Sequence, residues 1–138
     1  MAKIEKLWFD SNRIWIETDD GQTLSRPLEA FPTLLDATEE QRKAYKIGRL
    51  GDDVRWECID EDIHISSFFQ TEEPDYENDI AAIFKRFPQL NISEVARSMG
   101  IHKSLLSKYI YGMKCPSEQR KEQIKETLRN LGRELIAV

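Results

Sequence analysis

The sequence has little cysteine and no long apolar run. Its two cysteines, Cys58 and Cys115, form no CxxC pair and lie in no Cys/His cluster. These absences exclude a disulfide scaffold and a zinc finger, and they make a reducing cytoplasm the expected compartment. The amino terminus also lacks the apolar stretch of a signal peptide, so neither secretion nor a membrane span is expected.

Familiar catalytic patterns are missing as well. The chain contains no Gly-rich phosphate loop, nucleophile elbow or HExxH motif. The densest metal-capable group is Asp60-Glu61-Asp62 with His64. Because successive strand residues point to opposite faces, this group is better interpreted as a solvated acidic turn leading into a strand. The sequence therefore predicts no enzyme, no catalytic residue, no metal site and no cofactor.

The sequence does contain enough apolar residues to form a core, and its charge is unevenly distributed. Of its 138 residues, 40% are apolar and 33% are charged, as in a folded protein of one domain or two very small ones. Residues 1–78 hold nine Lys and Arg against nineteen Asp and Glu, a balance of −10. Residues 79–138 hold eleven against six, a balance of +5. The two parts are therefore expected to be modules with different partners.

A polar segment separates these modules. Residues 70–79 contain five acids and one proline, and almost nothing that a core could bury. The sequence thus predicts an interaction domain over residues 1–69, an acidic linker over residues 70–78 and a second domain over residues 79–138.

The first domain begins with the pattern of an antiparallel meander. Runs rich in Ile, Trp and Phe at Lys3–Phe9 and Arg13–Thr18 predict two strands, and Thr23–Arg26 predicts a third. The intervening pair Asp20-Gly21 tolerates the positive φ angles of a type I′ turn. Three strands joined by tight turns are expected.

A short helix and further extended pieces follow. Thr38 and Gln41 form a capping box, which predicts a helix from Glu39 to about Tyr45. Strands are expected near Val54–Trp56 and Ile63–Ile65. The first domain is therefore predicted to be a small α+β fold.

This region resembles a bacterial family, the domain of unknown function 2442. The resemblance lies in the block Leu28–Arg42, in Trp56 and in Ile59–Ile63, within a matched region from about Leu24 to Phe69. It implies a small α+β fold and no known chemistry. It also implies that a small partner protein is often encoded alongside, as in toxin–antitoxin pairs.

Residues 79–138 have the pattern of packed helices. Asp79–Phe87 has apolar residues at helical spacing, and a second helix begins after the capping residue Asn91. Gly100 can end that helix in the left-handed conformation, and a third helix is expected from about Lys103. A final helix from about Ser117 is predicted to turn four apolar side chains inward: Ile124, Leu128, Leu131 and Leu135.

The stretch from Asn91 to Gly112 resembles the lambda-repressor/Cro-like helix-turn-helix family. Its Val95-Ala96, Gly100-Ile101 and Leu106-Ser107 pairs fall at that family's spacing. The resemblance implies an all-α DNA-binding domain, so the whole chain is predicted to be an α+β domain followed by a helix-turn-helix domain. A plain helical bundle using the same apolar positions is the alternative. The local charge of +5 favours DNA.

The best interpretation is a cytoplasmic, sequence-specific DNA-binding regulator that pairs as a homodimer on double-stranded DNA. Four residues of the third helix are predicted to read base edges: Lys103, Ser104, Ser107 and Lys108. Three more are predicted to hold phosphates: His102, Tyr111 and Lys114.

The alternative is an antitoxin-like protein whose acidic first half binds a small basic partner protein. The acidic contact is then predicted at Asp60, Glu61 and Asp62. Both functions can coexist in one chain.

Overall fold

Three antiparallel strands open the computed structural model, which describes residues 2–138. They are β1 (Ile4–Asp10), β2 (Arg13–Thr18) and β3 (Thr23–Pro27), in the order β1-β2-β3. The period of two in β2 places Ile14 and Ile16 in the core, where both are fully buried. The predicted meander is confirmed.

The type I′ turn lies between β1 and β2, not between β2 and β3 as the sequence indicated. Asp10 and Arg13 are partners in the ladder, and the two residues between them, Ser11 and Asn12, have φ of +54° and +60°. Asn12 also donates from Nδ2 to the buried carboxylate of Glu29 over 3.3 Å. This long-range bond stabilises a turn that contains no glycine.

The second turn departs from type I′ because of a local side chain. Only Gly21 has a positive φ there, +86°. The Thr18 hydroxyl hydrogen-bonds Asp20 and accepts from the backbone N–H of Gln22 over 3.1 Å, which spreads the turn over four residues.

A second antiparallel sheet and two short helices complete the first part of the chain. The strands are β4 (Lys46–Ile47), β5 (Asp53–Trp56) and β6 (Glu61–His64), and the helices are α1 (Pro32–Leu35) and α2 (Glu39–Lys43). Short 3-10 turns cover Leu28–Ala30, Glu57–Ile59 and Ile65–Phe69. The predicted capping box on α2 is confirmed, with both reciprocal bonds present.

One aromatic side chain anchors the core of this region. Trp56 is fully buried, and its indole N–H donates to the carbonyl of Arg42 over 2.9 Å. The Tyr45 hydroxyl donates to the carbonyl of Leu7 in β1 over 3.1 Å. A buried aromatic with a satisfied polar atom ties the helical segment to the sheets.

The chain divides into two units, the sheet unit up to Glu73 and the helical unit over Pro74–Val138. The division falls inside the predicted linker, but residues 70–73, the exit segment, are bound to the sheet unit. Arg26 in β3 is 2% exposed and donates from Nη1 to the carbonyls of Gln70 and Glu72 over 2.9 and 2.8 Å. Arg13 holds both carboxylate oxygens of Glu73. The sequence did not predict these contacts, which attach four residues of the acidic linker to the sheet unit.

Burial and neighbouring charges shift the pKa of the buried Arg26 in opposite directions. Desolvation lowers the pKa of Arg26, whereas Glu72 and Glu73 raise it. Its Nε has no hydrogen-bond partner among the described residues. The exit segment therefore supplies hydrogen-bond acceptors and negative charge that compensate for the burial of this guanidinium.

The helical unit contains four helices: α3 (Asp79–Arg86), α4 (Ile92–Met99), α5 (Lys103–Ile110) and α6 (Glu118–Ile136). Its core includes Ile80, Ala96, Leu106 and Ile124, each at most 1% exposed. The predicted α+β class is confirmed.

The inward face of α6 is shorter than predicted. Ile124 is buried and Leu128 packs against the core, but Leu131 and Leu135 are exposed to 37% and 64%. The 19-residue helix spans about 28 Å, more than the short helices beside it can cover. In the described part of the chain, no helix combines the length and apolarity that a bilayer crossing needs.

Candidate nucleic-acid interface

A tight turn closed by Gly100 joins α4 to α5. Gly100 has φ of +70°, and its N–H donates to the carbonyl of Arg97 over 3.0 Å. The N–H of Ile101 donates to the carbonyl of Ala96, also over 3.0 Å. These bonds satisfy carbonyls that a helix leaves unpaired at its end. They allow α5 to begin only four residues after Met99.

His102 begins α5 as its capping residue. Its Nδ1 accepts from the backbone N–H of Ser104 over 3.1 Å, and the side chain is exposed. With Nδ1 acting as the acceptor, the neutral ring carries its proton on Nε2. This nitrogen is a donor at the surface, next to the first turn of α5.

Cationic and small polar side chains lie along the outer side of α5. Ser104 and Lys108 are four residues apart and share a helix face, and Lys103 is exposed at the start of the helix. Lys114 is exposed in the following loop, where its backbone N–H donates to the carbonyl of Lys108 over 3.3 Å. The loop therefore brings Lys114 to the end of the same helix.

The prediction that Ser107 faces solvent is wrong. Ser107 is only 4% exposed. It lies three residues before Ile110, on the side of α5 that packs into the core, and so cannot reach a base edge. Leu105 is half-buried and packs against the same core.

Tyr111 follows α5 and is half-buried rather than fully exposed. Its ring meets that of Tyr76 edge to face, with ring centroids 5.8 Å apart. The seven predicted DNA-contacting residues thus divide into three exposed ones (His102, Lys103 and Lys114), three half-buried ones (Ser104, Lys108 and Tyr111) and the buried Ser107.

Of the three predicted partner-binding acids, Asp60 and Asp62 are exposed and Glu61 is half-buried, and each accepts a hydrogen bond. Asp62 lies opposite Arg55 in the ladder between β6 and β5, and their side chains approach to 3.4 Å. Arg55 also donates to Asp60 over 2.7 Å, and this bond, followed by that to Glu57, raises the pKa of Arg55. Glu61 accepts from the backbone N–H of Asp62. The Asp60 and Asp62 side chains remain 90% and 59% exposed at the turn that leads into β6, so they are solvated as predicted, and the sequence missed only their pairing with Arg55.

The sequence analysis missed Asn78, a side chain that supports the C-terminal end of α5. Asn78 directly precedes α3, a position at which Asn is a common helix cap, and the surrounding sequence indicates no further contact. In the structure Asn78 also donates to the carbonyl of Ile110, 32 residues away. Only tertiary structure discloses such a contact.

Two clefts in the described part of the chain lie away from the predicted residues. One, of about 600 Å³, runs between the β1–β2 turn and α2. The other, of about 350 Å³, lies between α4 and α6. No group of three or more possible metal ligands occurs among residues 2–138. The chemistry of the candidate interface is thus that of an open surface with hydrogen-bond donors and positive charge.

Comparison with known proteins gives a family match for the sheet unit. A family model described as a protein of unknown function, DUF2442, matches residues 4–72, half of the chain. No curated protein matches. Among solved structures, the chain is similar to NE0471 of Nitrosomonas europaea, described as a candidate DNA-binding protein. That similarity has 16% sequence identity and a TM-score of 0.37, over 90% of this chain and 84% of the other.

These comparisons differ in what they establish for the two units. The family match ends before the helical unit, so the helix-turn-helix resemblance stays a prediction. The resemblance of the sheet unit is confirmed, and the chain belongs to the DUF2442 family of proteins of unknown function.

Proposed function

We propose that the chain is a cytoplasmic transcriptional regulator that binds double-stranded DNA in a sequence-specific manner, with the sheet unit serving as a protein-interaction domain. The observation that carries this proposal is the pair α4 and α5. Gly100 closes a tight turn between two eight-residue helices, and the second helix has Ser104 and Lys108 on its outer face. This arrangement suits insertion of α5 into a major groove.

Each surface residue has a role that follows from its place. Lys103, Ser104 and Lys108 lie on the helix itself and would read base edges. His102, Tyr111 and Lys114 flank its two ends, where the phosphate backbone runs past an inserted helix, and would hold phosphates. Ser107 has no such role because it is buried.

Charge supports DNA as the ligand of the helical unit. Residues 79–138 carry a balance of +5 in a chain whose net charge is −5. Many of the remaining cations in this unit are in ion pairs on α6, such as Arg129 with Glu122 and Arg133 with Glu126. Lys103, Lys108 and Lys114 lie at or just after α5, where positive charge attracts phosphates.

A single module of this kind makes a small interface, so a homodimer on a two-fold site is part of the proposal. Half-sites would lie about 34–36 Å apart. The exposed apolar side chains of α6, Leu131, Leu135 and Ile136, support self-association. Sedimentation equilibrium should show a dimer for the parent chain and for Gln123→Glu, and a monomer for Leu135→Glu. A monomeric parent chain would contradict this part of the proposal.

The test of DNA recognition is selection from a random duplex pool with the full-length chain. We expect enrichment of a two-fold motif, and the enriched duplex should bind at least about a thousandfold more tightly than random DNA at physiological salt. A pool that shows no enrichment would contradict the proposed function.

A further inference from the structure

The C-terminal end of α5 rests on residues 75–78, which we name the brace. The backbone N–H of Asp75 donates to the carbonyl of Tyr111 over 2.8 Å. The side chain of Asn78 donates from Nδ2 to the carbonyl of Ile110 over 3.1 Å. Both carbonyls belong to the set that a helix leaves unpaired at its end. The brace therefore supplies the hydrogen bonds that α5 cannot make within itself.

Asn78 uses both ends of its amide. Its Oδ1 accepts from the N–H of Ala81 over 2.8 Å and so caps α3. Its Nδ2 donates to Ile110 and, over 2.7 Å, to the carbonyl of Asp75. One partner is a donor and two are acceptors, so only one orientation of the amide satisfies all three. A single side chain thus fixes the start of α3, the brace and the end of α5 together.

The brace and α5 lie in close contact. Gly112 has φ of +74°, and a Cβ at this position would come within 2.4 Å of the carbonyl oxygen of Asp75. Tyr76 and Tyr111 pack edge to face beside it. The contact leaves no room for a side chain at position 112.

We propose that Asn78 is a positioning residue for DNA reading: it sets the placement of α5 and of the loop that carries Lys114. This inference rests on the proposed function of α5. Recognition groups need to be held to within about 0.5 Å and 10–20° of their productive geometry. Without the Asn78 donor, the carbonyl of Ile110 at the end of this eight-residue helix is unpaired, and α5 is held less firmly. Base reading depends on that placement, whereas attraction between lysines and phosphates tolerates small displacements of the helix.

The decisive variant is Asn78→Asp in the full-length chain. Aspartate keeps the oxygen that caps α3, but it removes the donor and places a carboxylate against the carbonyls of Ile110 and Asp75. The matched control is Asn91→Asp. Asn91 caps α4 through Oδ1 over 3.2 Å, and within the described chain its Nδ2 makes no hydrogen bond. The same chemical change is therefore made at two helix caps, only one of which supports α5.

We expect Asn78→Asp to lower affinity for the selected duplex by about tenfold or more, the scale of one misread base pair. Affinity for random duplex should change far less, so the specificity ratio falls. Amide signals of Gly112 and Met113 should shift in NMR spectra, and exchange of the Asp75 N–H should accelerate. Asn91→Asp should leave the ratio and these signals unchanged.

The outcomes separate the inference from the function on which it rests. An unchanged specificity ratio in Asn78→Asp, with the parent chain reading its duplex normally, contradicts the positioning role alone. A parent chain that selects no DNA contradicts the proposed function and the inference with it. If Asn78→Asp does not fold, Asn78→Ser tests the same bond, because serine can still cap α3 but cannot donate to Ile110, and an unchanged ratio there also overturns the proposal.

Discussion

The guanidinium of Arg55 and the carboxylate of Asp60 are joined by a 2.7 Å hydrogen bond. Asp60 is held for this contact at the end of a 3-10 turn, where its φ is +50°. Asp62, the cross-strand partner of Arg55, approaches the same guanidinium. The acidic segment between β5 and β6 is therefore partly neutralised from within its own sheet.

Reversal of Asp60 and Asp62 to Lys should lower the melting temperature of the sheet unit, because both new cations would face Arg55. The matched control is Glu5→Lys with Glu40→Lys, two exposed acids for which the described chain shows no ion pair. It makes the same change in net charge. Thermal unfolding followed by circular dichroism checks this, and equal melting temperatures for the two variants would contradict the assigned pairing.

Replacing Lys103 and Lys108 with Ala should weaken DNA binding and reduce the slope of log affinity against log salt by about one to two. Both changes remove a phosphate-attracting charge at α5. Arg120→Ala with Lys125→Ala removes the same charge from α6 and should have a smaller effect. Gel-shift titrations over a range of salt concentrations distinguish the pairs, and equal slopes would argue against α5 as the binding helix.

Ser104 and Ser107 are expected to respond in opposite ways to the same enlargement. Ser107→Leu forces a larger side chain into a packed site and should reduce the free energy of unfolding by about 1–3 kcal/mol. Ser104→Leu should cost much less stability yet impair binding of the selected duplex. Chemical denaturation and gel shifts on both variants provide the measurement. Equal stabilities would mean that Ser107 is not packed.

Arg26→Met should expose the exit segment to proteolysis. The variant loses the donor to the carbonyls of Gln70 and Glu72, so residues 70–73 detach more often and a glutamyl endopeptidase should cut there several-fold faster. Arg42→Met is the control, since Arg42 donates to the carbonyls of Leu34 and Leu35 in the same manner. Equal cleavage rates at Glu72 and Glu73 in both variants would contradict the role of Arg26 in holding the exit segment.

The ion pair of Glu73 should make a small, pH-dependent contribution to stability. The hydrogen bond from Arg13 lowers the pKa of Glu73 in the folded protein. The stabilisation is therefore fully present above the pKa of the unfolded state and is lost as pH falls through the folded value. Because more than half of the Glu73 side chain is exposed, solvent screens the pair and we expect less than about 1 kcal/mol. The difference in unfolding free energy between the parent chain and Glu73→Gln should vanish in acid, and a constant difference would refute the linkage.

The features that sequence predicts well are those whose causes are local. The capping box of Thr38 and Gln41 depends on two residues three positions apart, and the stop at Gly100 depends on one residue's freedom to adopt a positive φ. Strand β2 follows from its period of two. Each of these causes is visible within a few residues of sequence.

The features that sequence missed depend on distant partners. Ser107 looked exposed because the inward face of α5 is set by the helices packed against it. The pairing of Asp60 and Asp62 with Arg55 was not predicted because Arg55 lies in a neighbouring strand. Leu131 and Leu135 continued an apolar stripe, but the core ends before the helix does. No local pattern encodes these three facts.

The bond between Asn12 and Glu29 has a consequence for the order of events on the ribosome. Ser11 and Asn12 hold a left-handed conformation that L residues adopt at a cost, and Asn12 reaches the Glu29 carboxylate while its carbonyl accepts the N–H of Leu28. Those partners are synthesised only after both strands of the hairpin. The turn between β1 and β2 therefore lacks these two hydrogen bonds until Leu28 and Glu29 have emerged.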